Sequence, residues 1–385
     1  MLGIDWARIY DVEQPAGNPL LTPPPLMHRY GSDHPAHYQG GMADLTDVVA
    51  AGPGLVAVGY LDRGPIAAAW TSADGRSWRL APGFMPLDAT FARAVAAGPA
   101  GLVTVGVDRA DAAAWTSADG LTWSKVESEA ALHDQGGPLQ MTAVAAWAGG
   151  WVAGGYLGTY AGPLRAAFWR SMDGRTWARV PDVPAFGDGR VTAIATLGDR
   201  LIAVGATGTY HDPTGGVAWT SRDGTTWERA PVSADLSAGV PWSVTAGGPG
   251  LVAVGANPDE RKAMAWTSLD GTTWTRAPDA QALDNYGLKI RMQDVAVVGD
   301  EIIAGGHMLF GQQFSSAVIW HSRDGITWQR TPDYPGFSAG VITGVVAGGP
   351  GAVAVGTVGA PDFFIPTAWI SPARSAAGAP ATYSP

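Results

Sequence analysis

A nine-residue pattern, W-x-S-x-D-G-x-[ST]-W, occurs six times: Trp70–Trp78, Trp115–Trp123, Trp169–Trp177, Trp219–Trp227, Trp266–Trp274 and Trp320–Trp328. Its spacing runs from 45 residues (Trp70 to Trp115) to 54 (Trp115 to Trp169). A period near 50 with strand-like content marks a radial β-repeat. Units of this size cannot bury a core alone, so neighbours must stack. The repeat therefore overrides the two or three domains that 385 residues would ordinarily suggest.

Each unit carries four short apolar runs. In the first they are Asp47–Ala50, Leu55–Gly59, Ile66–Ser72 and Ser77–Leu80, designated A, B, C and D. Gly52-Pro53-Gly54, Gly248-Pro249-Gly250 and Gly349-Pro350-Gly351 sit between A and B as hairpin punctuation. The Asp-Gly of the pattern joins C to D. Four short strands joined this way make a propeller blade. The A–B hairpin occurs once more than the pattern does, at Val48, Ala94, Val144, Ala193, Val244, Val295 and Val345. The seventh unit ends at Trp369-Ile370-Ser371-Pro372 without a D run. Trp6-Ala7-Arg8 aligns with Trp177-Ala178-Arg179 and supplies it.

The expected fold is all-β, a seven-bladed β-propeller of four-stranded antiparallel blades closed by the N-terminal strand. Residues 1–372 form one domain in this reading. Residues 1–12 are the outer strand of blade seven and 13–43 a connector. Blades begin near 44, 90, 140, 189, 241, 291 and 340, and 373–385 form a flexible Ala/Ser/Pro-rich tail.

The C–D turn resembles the Asp box (BNR repeat) of sialidases and related propellers, with one residue fewer between Asp and Gly. The structural Asp-box acids are Asp74, Asp119, Asp173, Asp223, Asp270 and Asp324. A short acceptor there takes backbone N–H bonds of its own turn. The glycine permits positive φ, and the tryptophans fill the space between blades. Fourteen of the 17 tryptophans are of this kind, counting Trp6 and Trp369, so the pattern reads as structural.

Chemistry is then sought on the face formed by the B–C and D–A loops, where the units differ. Blade three offers Tyr156, Tyr160 and Arg165 and blade four Tyr210-His211-Asp212. Blade five offers Glu260, blade six His307 and Phe310, blade seven Asp362-Phe363-Phe364. The D–A loops add His133, Tyr286, Lys289 and Arg291. The position before the first apolar residue of each A run gives Asp47, Arg93, Thr142, Thr192, Ser243, Asp294 and Thr343, a polar ring at the channel mouth beside Trp242. His28, Asp33, His34 and His37 of the connector match no metal-site spacing and read as a polar loop. The D-x-[DN]-x-[DN]-G calcium spacing is also absent.

A net charge of −10 and pI near 5.1 argue against nucleic-acid binding. No apolar run is long enough for a membrane helix. With no cysteine, thiol chemistry is excluded and the compartment is left open, since bacterial secreted proteins often lack it. No signal peptide is legible at Met1. The expected place is outside a bacterial cell or on its surface, with a cytoplasmic or virion-associated place as the alternative.

No cofactor and no metal are expected. The leading functional reading is a non-catalytic binding or assembly module that presents its loop face to a glycan or protein partner. Arg93, Trp242, Tyr160, Tyr210, His211, Tyr286, Arg291, His307, Phe310 and Phe363 are the candidate ligand-binding residues. The alternative is a glycoside hydrolase with catalytic candidates Asp47, Asp294 and Glu260. Resemblance to sialidases implies three arginines for a substrate carboxylate, with Arg29, Arg93 and Arg291 available by type, and a Tyr–Glu nucleophile pair such as Tyr30 or Tyr286 with Glu260. The Arg-Ile-Pro element and the six blades of that family are absent. The blade count resembles photosystem assembly-factor propellers, which implies a basic patch that so acidic a chain argues against. A third reading is a structural or decorating subunit of a surface, filament or virion assembly.

Overall fold

The structure is a computed structural model that describes residues 7–9, 43–61, 66–82, 90–127, 129–133, 137–310, 314–332, 335–360 and 363–372. The connector with its histidines, Trp6, Asp362 and the residues after Pro372 lie outside these.

Seven four-stranded antiparallel sheets are present, each ordered A-B-C-D from the centre outward. The chain is a seven-bladed β-propeller. The A strands begin at Ala43, Thr90, Leu139, Arg190, Val240, Ile290 and Gly340. In blade seven the fourth strand is Ala7–Ile9, paired antiparallel with the C strand so that Arg8 faces Trp369. B strands such as Leu55–Val58 are fully buried, because both faces of the sheet are covered by neighbouring blades.

Seven apolar clusters lie at the seven blade interfaces. Trp320 and Trp328 of blade six pack on Val252 and Val254 of blade five. Trp70 and Trp78 of blade one pack on Val353 and Val355 of blade seven, so the ring also closes through its core. Burying a large apolar side chain contributes roughly 1.5–3 kcal/mol, and each interface holds at least one buried tryptophan. In blades three to six the first tryptophan of the pattern also donates its indole N–H to the preceding D–A loop, as Trp219 does to the Ala185 carbonyl at 2.9 Å.

The S-x-D-G turn has the same bonds in all six copies. In blade four, Asp223 Oδ1 accepts from the N–H groups of Thr225 (2.8 Å) and Thr226 (2.6 Å). Ser221 Oγ accepts from the Gly224 N–H at 3.0 Å. Gly75 shows why glycine follows the aspartate. Its φ is +78°, and a β-carbon would come within 2.9 Å of Val353 on the next blade.

All seven A strands carry a β-bulge at the same place, at Thr46, Arg93, Thr142, Thr192, Trp242, Gln293 and Thr343. Four of these are threonines whose hydroxyl lies between a carbonyl of its own blade and one of the next. Thr142 Oγ1 is 3.3 Å from Gly154 O and 2.6 Å from Val191 O. Thr192 is 3.1 Å from Val204 O and 2.7 Å from Pro241 O. The expected polar ring mixes two registers. Asp47, Ser243 and Asp294 stand one residue past the bulge, where the other blades have Ala94, Ala143, Ala193 and Gly344. The first apolar residue is therefore not a constant marker of the strand's register.

Candidate functional site

The A strands line a central cavity of about 950 Å³. Aligning them on their bulges gives its layers. Two residues before the bulge come Asp44, Phe91, Gln140, Arg190, Val240, Arg291 and Val341, nearest the loop face. The bulge residues follow. Two residues further in comes an unbroken apolar ring of Val48, Val95, Val144, Ile194, Val244, Val295 and Val345, all of which line the cavity. The cavity thus grades from charged to apolar along the channel.

Arg190 is the centre of the charged end. It is only 2% exposed. Its Nη1 donates to the carbonyls of Thr209 and Tyr210, both at 3.1 Å. The guanidinium lies 4.9 Å from the Tyr210 ring and 5.2 Å from the Trp242 ring. Its Nε and Nη2 have no hydrogen-bond partner. Burial pulls its pKa below the usual guanidinium range, yet an arginine stays charged at neutral pH.

Arg291 approaches the same indole to 5.1 Å. Its Nη1 donates to Glu260 Oε1 at 2.8 Å, and Lys289 Nζ is 3.5 Å from Glu260 Oε2. Burial opposes the charge on Glu260, but Arg291 and Lys289 outweigh it and hold the carboxyl below its ordinary range. Glu260 is thus an ionised partner of two cations, not a poised acid. Arg93 lies 4.9 Å over the Phe91 ring, which meets Tyr60 edge-on at 5.0 Å. Tyr60 donates to Asp44 Oδ2 at 2.9 Å. Burial, only partly offset by Tyr60 and Arg93, pushes Asp44 up to about 6. Arg93, Arg190, Arg291 and Lys289 all line one cavity. The same cavity is lined by Asp44, Asp47, Glu260 and Asp294, so the cations are concentrated at the mouth among acids and do not form an all-basic patch.

Asp47 and Asp294 also face the cavity, but each is tied into the ring. Asp47 accepts from the Val48 N–H at 2.7 Å and, across the blade boundary, from the Val95 N–H at 2.8 Å. Asp294 accepts from Ser243 Oγ at 2.6 Å and from the Val345 N–H of the next blade at 2.7 Å. Solvent reaches both only along the channel, so burial raises their pKa values, and for Asp47 the nearby Asp294 adds to the rise.

Tyr160 is 43% exposed, meets Tyr210 edge-on at 4.7 Å, and accepts a bond from Gln140 Nε2 at 3.1 Å. His211 lines the cavity. Two expectations change. Tyr156 is 1% exposed and packs against Tyr210, so it is a buried part of the cavity wall and not an exposed ring. His307 is 7% exposed within the B strand of blade six, opposite Arg291. Burial, with Arg291 and Lys289 nearby, holds it neutral, well below its usual pKa. Tyr286, 83% exposed in a left-handed turn, and Phe310, 42% exposed, are exposed as expected and stand outside the cavity lining, as Tyr160 does. The side chain of Phe363 lies outside the described residues. Arg190, Tyr60, Asp44 and Gln140 are cavity residues that the sequence pattern did not single out. Counting back two positions from the bulge would have found all but Tyr60.

Among the described residues, no group of three or more His, Asp or Glu is placed to hold a metal ion. No helix among them is long and apolar enough to cross a membrane.

Residues 159–341, just under half of the chain, match the DUF6242 beta propeller domain. No curated protein matches the chain in sequence. Among solved structures, YCF48 bound to D1 peptide is similar over 88% of this chain and 95% of its own, at 15% identity and TM-score 0.55. A protein of unknown function from Dyadobacter fermentans matches over 87% of this chain and 95% of its own, at 13% identity and TM-score 0.50. Trypanosoma rangeli sialidase matches over 86% of this chain and 54% of its own, at 11% identity and TM-score 0.47. At these identities the likeness is one of fold: the chain is a β-propeller, with neighbours of binding and of sialidase type.

Proposed function

We propose that the protein is a non-catalytic binding module whose loop face, centred on the channel mouth, receives an acidic segment of a protein partner. The observation that carries this is the convergence of Arg93, Arg190, Arg291 and Lys289 on one cavity walled by Trp242, Tyr210 and Tyr60, in a chain of net charge −10. Such a local field steers an anionic partner to the mouth, while the rest of the surface repels it. Rings beside the cations give a partner apolar area to bury. A propeller neighbour holds a peptide, which supports a protein partner.

The glycoside hydrolase reading is weakened at all three acids it relies on, and Glu260 is held as an ion pair by Arg291 and Lys289. Asp47 and Asp294 spend their oxygens on N–H and hydroxyl donors that join blades, and an acid/base pair needs oxygens free for substrate. A glycan partner would use the same rings, with its acidic groups on the same cations.

Fluorescence polarisation with acidic, neutral and basic peptides of equal length tests the proposal. Saturable binding of the acidic peptide, weakened by salt and by R93Q or R291Q, is expected. Equal binding of all three would overturn it. A panel of fluorogenic sialosides and β-glycosides run beside it addresses catalysis: turnover that is lost in D47N or D294N would replace the binding reading with a hydrolase.

A further inference from the structure

Two of the three guanidinium groups that line the cavity share the Trp242 ring, and the chain fills one of these two seats itself. Glu260 occupies the first, on Arg291 Nη1 at 2.8 Å with Lys289 at 3.5 Å. Its backbone is committed to that placement. Glu260 has φ +57°, which a residue with a β-carbon adopts only at a cost. Its N–H donates to Asn257 O at 2.9 Å, and its carbonyl accepts from the Ile290 N–H at 2.6 Å.

Arg190 is the second seat. Its Nη1 is spent on two backbone carbonyls, which fixes the plane of the guanidinium. The unpartnered atoms are Nε and Nη2, which lie on one edge of the group. That edge matches the two oxygens of a carboxylate in a bidentate pair. Donors of a charged group left unpaired at 2% exposure cost the fold stability, a cost that a bound acceptor would remove. The Trp242 ring stands against both guanidinium groups. Tyr210, which covers Arg190, sits on the B–C loop of blade four, outside the strands. Further in, the ring that includes Ile194 and Val244 is apolar.

We propose that the mouth binds a single carboxylate on the Nε–Nη2 edge of Arg190, carried by a short aliphatic group that points toward the apolar ring. Glu260 sets this specificity, because it holds Lys289 and Arg291, the guanidinium that shares the Trp242 ring with Arg190, and so denies that adjacent seat to a second anionic group. Tyr210 yields on entry. This rests on reading the channel mouth as the site that receives an acidic segment, and adds that a single carboxylate of that segment enters the mouth and which residue selects it.

The test is NMR titration of the full chain with isovalerate, 3-methylglutarate and inorganic phosphate, on wild type, R190K and E260Q, with circular dichroism to confirm folding. Wild type should prefer isovalerate. R190K keeps the charge but loses the bidentate edge, and should weaken isovalerate binding about tenfold. E260Q frees Arg291 and should strengthen 3-methylglutarate binding by about the same factor. If R190K does not fold, the part-exposed E260Q carries the test alone. Preference of wild type for phosphate or the dicarboxylate, or an unchanged ranking in E260Q, overturns the carboxylate assignment and leaves the mouth as a binding site. Absence of saturable binding by any of the three in folded protein overturns the carboxylate assignment, and the peptide titration described above then decides separately whether the mouth is a binding site.

Discussion

The Thr343 hydroxyl lies 2.6 Å from the Leu45 carbonyl, joining blade seven to blade one across 298 residues of sequence. The same oxygen is 3.2 Å from Val355 O in its own blade. Leu45 is fully buried, so no water replaces this donor. Thr343→Val should cost about 1–2 kcal/mol, the penalty for a buried carbonyl left unpaired, and Thr343→Ser should cost less. Urea denaturation measures both, and equal stability of Val and wild type would show that the apolar seam closes the ring unaided.

Truncation of residues 1–12 should destabilise the whole molecule. It leaves the C strand of blade seven as an open edge, and uncovers Trp369, which is fully buried in the ring. A lowered melting temperature with concentration-dependent association is expected. An unchanged melting curve would mean that the outermost strand contributes nothing to closure.

Asp270→Ala should cost about 1 kcal/mol at neutral pH, because Oδ1 accepts from the Thr272 and Thr273 N–H groups at 2.8 Å each. Those bonds outweigh the burial that opposes its charge and lower its pKa to about 2. Its contribution is therefore present above 3.8, the unfolded value, and lost as pH falls through about 2. The difference between wild type and variant should shrink over that window. Peptide binding at the opposite face should not change.

Asp44 has the opposite sign. It protonates at about 6 in the fold against 3.8 when unfolded. Between these values the folded chain holds the extra proton, so this group lowers stability as pH rises from 3.8 to about 6, and the loss persists above. Asp47 and Asp294, also raised, act in the same direction. Asp44→Asn should flatten the decline between pH 4 and 7 in denaturation midpoints. Parallel curves for variant and wild type would refute the assignment.

The fold was legible because its signals are local and repeated. Trp, Asp and Gly hold fixed offsets in six turns, and Ala7-Arg8 repeats the register of Ala178-Arg179. The site was half legible. Glu260, Arg93, Arg291, Trp242 and Tyr210 stood out as polar or aromatic residues in variable segments. Arg190 did not, because Gly-Arg-Val at the start of a strand looks like any solvent-facing arginine. Only the bulge at Thr192 shows that it points inward. His307 misled for the converse reason: a histidine near a loop drew attention, although its strand extends to Phe310 and buries it.

The pairing of Ile9 with Ala368 carries a consequence for how the molecule comes into being. The two residues are 359 positions apart (368 − 9), so the ribosome makes one half of this contact long before the other. Six blades can assemble in order as they emerge, each templated by its predecessor, while the N-terminal segment waits without its partner. Closing so distant a contact carries a large loop-entropy cost and is intrinsically slow. Refolding experiments should therefore find blade seven the last to gain protection from hydrogen exchange.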